Sequence, residues 1–202
     1  MTHAFDRDYW ENHWNGTADG VTSMPPHPVL DIELAGLTPG TALDAGSGEG
    51  AEAVWLAAHG WEVTAVDISR TALTRAATRA SSESARVAFI EADLTQWEPD
   101  RQFDLVTTFY AHPSIPQLAF YNRIARWVAP GGTLLIVGHH HDEHGHGHEH
   151  PDNAVTGPDE IRALLSAAGW RVHTAVVRER KVVTGSGHSV GLQDVIARAE
   201  SL

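Results

Sequence analysis

Three aspartates stand at the ends of three short apolar runs: Asp44 in TALDAG, Asp67 in EVTAVD and Asp93 just after RVAFIEA. The first leads into Gly46-Ser47-Gly48-Glu49-Gly50. Glycines there allow a tight turn and let the main chain approach a ligand closely. The helix that follows points its free N–H groups and positive dipole end at the same place. Gly46-x-Gly48-x-x-Ala51 also satisfies the dinucleotide pattern G-x-G-x-x-G/A. Asp44 weighs against that reading, because a pyrophosphate gains nothing from a carboxylate two positions before the first glycine. A ligand bearing an amine or sulfonium does gain. Asp67 is placed to accept hydrogen bonds from two ribose hydroxyls, and Asp93 to reach an adenine amino group. Three acids at adjacent strand ends therefore suit a nucleoside that carries positive charge.

Two other groups of side chains could do chemistry. FYAHPSIP (109–116) offers His112 as a general base or orienting group for a second reactant, with Tyr110 as the next candidate. GHHHDEHGHGHEHPDN (138–153) holds seven of the chain's fourteen histidines. His139, His140, His141, His144, His146, His148 and His150, with Asp142, Glu143 and Glu149 between them, are competent ligands for Ni²⁺, Zn²⁺ or Cu²⁺. The H-G-H-G-H run lacks the fixed spacing of a preorganised metal site. It is expected to be a loop beside the ligand pocket, gaining charge as pH falls through about 6.5.

These residues need a scaffold, and the chain alternates strand-like and helix-like segments. Strands are predicted at 41–46, 62–67, 86–92, 103–109 and 133–138, the last after a break at Pro130-Gly131-Gly132. Helices are predicted at 52–60, from an N-cap at Ser69, at 116–128, and from Thr156 or Gly157 to a stop at Gly169. WRVHTAVVRERKVV and the segment from His188 onward read as a further strand pair. Several strands are near-continuous apolar runs, as strands covered on both faces should be. This alternation predicts an α/β fold with a doubly wound, mostly parallel sheet. The ligand is then expected at the carboxyl ends of the strands, near the switch point after strand one. Strand five ends at the histidine tract, so His139 and His140 are expected on that same rim.

At 202 residues the chain is expected to be a single domain, 1–202. A formal net charge of -12 argues against a nucleic-acid partner or an anionic membrane surface. There is no cysteine, hence no disulfide, thiolate metal site or cysteine nucleophile. MTHAFDRDYW contains no apolar stretch of the signal-peptide kind, so a cytoplasmic location is expected.

LDAGSGEG (43–50), VTAVDIS (63–69), EADL (91–94), FDLV (103–106) and APGGTLLI (129–136) stand in a definite order and spacing. In that set the chain resembles the class I S-adenosylmethionine-dependent methyltransferases, over roughly residues 28–175. The resemblance implies a Rossmann-like seven-stranded sheet with an antiparallel C-terminal strand pair. It implies S-adenosylmethionine as cofactor and S-adenosylhomocysteine as product. Asp44, Gly46, Ser47, Gly48 and Gly50 would line the methionine part. Asp67 would bind the ribose, Ile68 would pack on the adenine, Asp93 and Leu94 would meet its edge, and Phe109 and Tyr110 would sit near the sulfonium.

FDRDYWENHW (5–14) puts Phe5, Tyr9, Trp10 and Trp14 on one helical face, ahead of MPPHPVLDIEL. The YW-x-x-x-W…HPVL arrangement looks like the thiopurine- and tellurite-type branch. That implies residues 1–36 as a helical lid, with Tyr9, Trp10 and Trp14 near a small-molecule acceptor; the end of strand five brings His139 and His140 to the same rim, at the start of the His-rich loop 139–155. The branch resemblance favours a small thiol, chalcogen or hydroxyl acceptor, and the absence after strand four of the Asn/Asp-Pro-Pro-Tyr of amino-group methylating members counts against a nucleobase or protein-glutamine acceptor. Two rival readings are an NAD(P)-dependent oxidoreductase and a non-enzymatic metal-binding or sensor protein on a methyltransferase scaffold.

Overall fold

The computed structural model describes residues 5–16, 24–140, 156–183 and 189–202. Seven strands form one sheet: β1 (Thr41–Ala45), β2 (Glu62–Asp67), β3 (Val87–Glu91), β4 (Phe103–Phe109), β5 (Val128–His139), β6 (Trp170–Val183) and β7 (Ser189–Ser201). Their order is β3-β2-β1-β4-β5-β7-β6. β1 pairs in parallel with β2 on one side and β4 on the other, which makes its carboxyl end the switch point. β7 enters antiparallel between β5 and β6. The doubly wound, mostly parallel sheet with an antiparallel C-terminal pair is thus as predicted.

Among the described residues six helices flank it: α1 (Arg7–Gly16), α2 (Val29–Glu33), α3 (Ala51–Ala58), α4 (Arg70–Ser82), α5 (Gln117–Ala125) and α6 (Pro158–Ala167). α4 starts where expected, with Ser69 Oγ accepting the Ala72 N–H at 3.1 Å. The Pro-rich lead of MPPHPVLDIEL runs into the short helix α2, whose start is held at Val29 because Pro25, Pro26 and Pro28 remove N–H donors from the preceding turn. One element differs from the sequence reading. Pro130-Gly131-Gly132 does not precede β5 but forms an irregularity inside it: the register passes from Phe103↔Val128 to Leu105↔Thr133.

The alternation of side chains along each strand feeds two cores. Leu43, Val106, Leu134 and Ile136 face α5 and α6, meeting Phe120, Ile124, Ile161 and Leu165. Ala42, Leu105, Leu135 and Val137 face the other way, onto Leu30 of α2 and Leu56 of α3. The central strands are therefore covered on both faces, which holds their carboxyl ends in fixed relation. The last residues of β6 and the first of β7 continue past β5: His139, at the end of β5, is opposite Asp194, yet Arg180 still pairs with Leu192. This hairpin overhangs the carboxyl edge of the sheet.

Leu43 is fully buried at the centre of β1. Leu43→Ala is expected to lower the unfolding free energy by about 2–5 kcal/mol, read from the midpoint of urea denaturation.

Candidate active site

The turn after β1 fits only because it is built of glycine. Gly46, Gly48 and Gly50 have φ of +82°, +50° and +74°. A Cβ on Gly46 would lie 2.5 Å from Ala111 Cβ, and one on Gly48 would lie 3.2 Å from the Trp14 ring. The turn thus passes under the β4–α5 loop on one side and under α1 on the other. Its N–H groups at Gly46 and Ser47 both donate to Val66 O, at 2.9 and 3.1 Å, which ties the ends of β1 and β2 together.

Acidic side chains surround this turn. Asp44 is 1% exposed; its Oδ1 accepts from Thr107 Oγ1 at 2.9 Å, and its Oδ2 has no hydrogen-bond partner among the described residues. Burial, reinforced by the nearby charge of Glu52, pushes its carboxyl up from 3.8 to about 8. Glu52, in the first turn of α3, is also raised by burial, against a hydrogen bond from the His27 N–H at 3.0 Å. Asp67 accepts from Gly48 N and Ser69 N at 2.8 and 2.9 Å, one on each oxygen, which leaves each oxygen a further lone pair. Asp93 commits Oδ1 to the Thr95 N–H and hydroxyl.

A cavity of about 660 Å³ runs along the carboxyl edge. Ile68, Asp93 and Leu94 line one end, the glycine turn and Glu52 the middle, and Phe109, Tyr110, His112 and His139 the other end. Tyr9, Trp10, His13 and Trp14 line it from α1. Polar contacts dock this helix: Arg7 on Ile68 O and Glu91, Glu11 on the Arg70 N–H, and Trp14 O on Arg75. Trp10 Nε1 donates to His112 O at 3.2 Å, so the aromatic face reaches across to the β4–α5 loop.

The far end is organised by Asp194. This carboxylate is 1% exposed and accepts from Tyr110 OH at 2.8 Å, from His27 Nε2 at 3.1 Å and from Arg180 Nε. His27 Nδ1 takes the Val29 N–H at 3.1 Å, so the ring proton sits on Nε2 and points at Asp194. Burial alone would raise the Asp194 carboxyl, but these donors and the Arg180 charge hold it below the usual range. Its contribution to stability is therefore present above the ordinary carboxylate pKa and is lost as pH falls through the lowered value. Burial and the Asp194 charge push the Tyr110 hydroxyl well above 10. Tyr110 also has φ +54°, a strained value for a side-chain-bearing residue, fixed by its N–H on Val137 O at 2.9 Å. His139 stacks on His112 with ring centroids 5.8 Å apart and leans on Tyr110 at 4.5 Å.

The expected site residues thus largely converge. Gly46, Ser47, Gly48, Asp67, Ile68, Asp93, Leu94, Phe109, Tyr110, His112, Tyr9, Trp10, Trp14 and His139 line one cavity. Asp44 sits behind the turn, and Gly50 is buried against Ala76 of α4. His140 turns its N–H to Gln193 O at 2.9 Å and does not line the cavity. His141, His144, His146, His148 and His150 lie outside the described residues. Among the described residues no group of three or more His, Cys, Asp or Glu side chains could hold a metal. Sequence reasoning missed His27, Glu52, Arg79, Arg180 and Asp194. Asp194 did carry a signal, as a lone acid in the strand run VGLQDVIA.

Residues 42–132 match the family described as a methyltransferase domain. The match begins in β1 and ends inside β5, short of half of the chain. It is 31% identical over 136 residues to a probable thiol methyltransferase 2 of Arabidopsis thaliana, a match spanning 63% of this chain and 60% of that protein. Among solved structures, a chain from work on the conversion of a disulfide bond into a thioacetal group during echinomycin biosynthesis superposes with TM-score 0.72. It is 23% identical, over 96% of this chain and 92% of that one. Magnesium protoporphyrin IX methyltransferase from Synechocystis PCC 6803, with SAM bound, superposes with TM-score 0.63. It is 17% identical, over 98% of this chain and 97% of that one. The methyltransferase fold thus extends over nearly the whole chain, beyond the family match. Among the described residues no helix is long and apolar enough to cross a membrane.

The raised carboxyl of Asp44 sets a pH dependence. The folded protein binds a proton there that the unfolded chain has lost between pH 3.8 and about 8, so stability falls as pH rises through that window. Asp44→Asn removes this slope. Urea denaturation across a pH series should show the variant gaining on the wild type by up to about 1.4 kcal/mol per pH unit. A difference independent of pH would mean that Asp44 is ionised throughout.

Proposed function

We propose that this domain transfers a methyl group from S-adenosylmethionine to a small-molecule acceptor, with a thiol, other chalcogen or hydroxyl favoured. The observation that carries the proposal is the buried, half-satisfied Asp44 carboxylate beside the glycine turn, with Glu52 and Asp67 close by. A carboxyl raised by burial and by like charges is relieved by a cationic ligand. That is the property of an amino-acid sulfonium and not of a pyrophosphate. Asp67, on this reading, accepts from the ribose with its remaining lone pairs, and the open oxygen of Asp93 faces the adenine edge.

The bound cofactor supplies an electrophilic methyl carbon on a positively charged sulfur. The chain's own work is to align the acceptor with that carbon and to exclude water. The aromatic face of α1, with Phe109, closes the cavity over its apolar part. Tyr110 donates its hydroxyl to Asp194, so in this proposal it shapes the acceptor wall rather than removing a proton. His112, stacked between Phe5 and His139, is the candidate base or orienting group for an acceptor that arrives protonated. A soft acceptor needs little more than alignment, and the match to a probable thiol methyltransferase supports that class.

Titration calorimetry with S-adenosylmethionine, S-adenosylhomocysteine and NADH tests the cofactor; binding of NADH alone would overturn the proposal. A screen of thiols, phenols, amines and metalloid oxyanions then reads the acceptor. His112→Ala is expected to keep cofactor affinity and to lower kcat by about 10²–10⁴-fold with an acceptor that must lose a proton. Unchanged kinetics would remove His112 from the mechanism. Metal capture by the histidine tract is a separate property of the proposal. Replacing 141–150 by a short Gly/Ser linker should abolish Ni²⁺, Zn²⁺ or Cu²⁺ binding and spare cofactor affinity.

A further inference from the structure

Three buried side-chain polar atoms near the glycine turn have no hydrogen-bond partner among the described residues: Asp44 Oδ2, Ser47 Oγ and Arg79 Nη1. Buried polar groups are nearly always paired, so each such atom calls for a ligand or a cost. Ser47 and Arg79 both line the cavity, with Glu52, whose charge is felt by Asp44 and which itself feels Arg79. Arg79 projects from α4, and its Nη2 donates to Met24 O at 2.7 Å, which pins the guanidinium under the Met24–Pro28 segment. Its other terminal nitrogen donates to no group among the described residues.

The cavity's other arginines are already committed. Arg75 donates to Glu49 Oε1 and to Trp14 O, both at 2.9 Å. Arg180 is held by Asp194 and Tyr110 at the opposite end. The amino-acid part of the proposed cofactor carries an α-ammonium and an α-carboxylate. Acidic groups near the turn are plentiful; a cation with an open donor is found in Arg79.

We propose that Arg79 binds the α-carboxylate of the cofactor's methionine, opposite an α-ammonium taken by Asp44, so that the site reads the amino acid as a zwitterion. The inference rests on the cofactor reading above and adds a residue that neither the glycine pattern nor the strand-end acids contain. A guanidinium suits the task because its fork matches a carboxylate. Arg79 then separates S-adenosyl amino acids from nucleosides that lack the amino-acid part.

Calorimetric titration of wild type and Arg79→Gln with S-adenosylhomocysteine and with 5′-methylthioadenosine tests this. The second ligand keeps adenine, ribose and sulfur but has neither charged group. Loss of a charge-assisted contact should weaken S-adenosylhomocysteine by about ten- to about a hundredfold and leave 5′-methylthioadenosine unchanged. Equal weakening of both ligands, or of neither, overturns the assignment. A wild type that binds neither nucleoside overturns the cofactor reading itself, a distinct result. Should Arg79→Gln fail to fold, Arg79→Lys carries the test, with the same selective loss expected but smaller.

Discussion

Asp194 holds together parts of the chain that are far apart in sequence. Its two oxygens accept from His27 before α2, from Tyr110 after β4 and from Arg180 on the overhanging hairpin. A buried carboxylate is costly unless its lone pairs are filled, and here three donors fill them. Removing any one donor would leave the others around a less satisfied charge, so these segments are placed jointly rather than one by one. The position of Tyr110 follows from this, and the strained backbone at that residue is tolerated because its N–H and hydroxyl are both fixed. The Tyr110 end of the cavity inherits its shape from this ion-and-hydroxyl cluster.

Asp44 is its opposite. Both carboxylates are 1% exposed, yet one is lowered and the other raised. The difference is one of partners. Asp194 has an arginine, a tyrosine and an imidazole N–H, whereas Asp44 has one threonine hydroxyl, a weak contribution from the Ala53 N–H and two acidic neighbours. One end of the cavity is therefore complete in its own hydrogen bonding, and the other is electrostatically unfinished. An unfinished anionic site inside a fold is stable only because strand pairing on both sides of β1 over-determines it. Rigid scaffold and incomplete chemistry belong together here: the sheet supplies the stability that the site gives up.

The parts of this arrangement that were legible in the sequence are those set by local rules. Apolar runs ending in Asp44, Asp67 and Glu91 became β1, β2 and β3 side by side, and Ser69 capped α4 as its type and position required. The aromatic face of α1 followed from helical spacing, and it does line the cavity. What could not be read is long-range. Arg180 and Asp194 reach the site only because β7 turns back between β5 and β6 and the hairpin outruns its neighbour. His27 sits in a proline-rich stretch with no periodicity, and its partner is 167 residues away. Arg79 reads as one more solvent-facing residue of an amphipathic helix until Met24 is seen lying over it.

α1 and α2 are attached in physically different ways. α2 is fastened from the core: Val29 and Leu30 are buried, and Glu33 is bonded to Thr174 and Arg178 on β6. α1 buries none of its own residues and is docked by arginine and glutamate side chains on the outer ends of β3 and α4. Contacts of the first kind are released only with the fold. Exposed ion pairs of the second kind are individually weak and are screened by salt. The docking of α1 can therefore weaken with salt while the His27–Asp194 anchor stays in place. A ligand that adds contacts to Trp14 and Ile68 would strengthen that docking, because it binds the docked arrangement better than the undocked one.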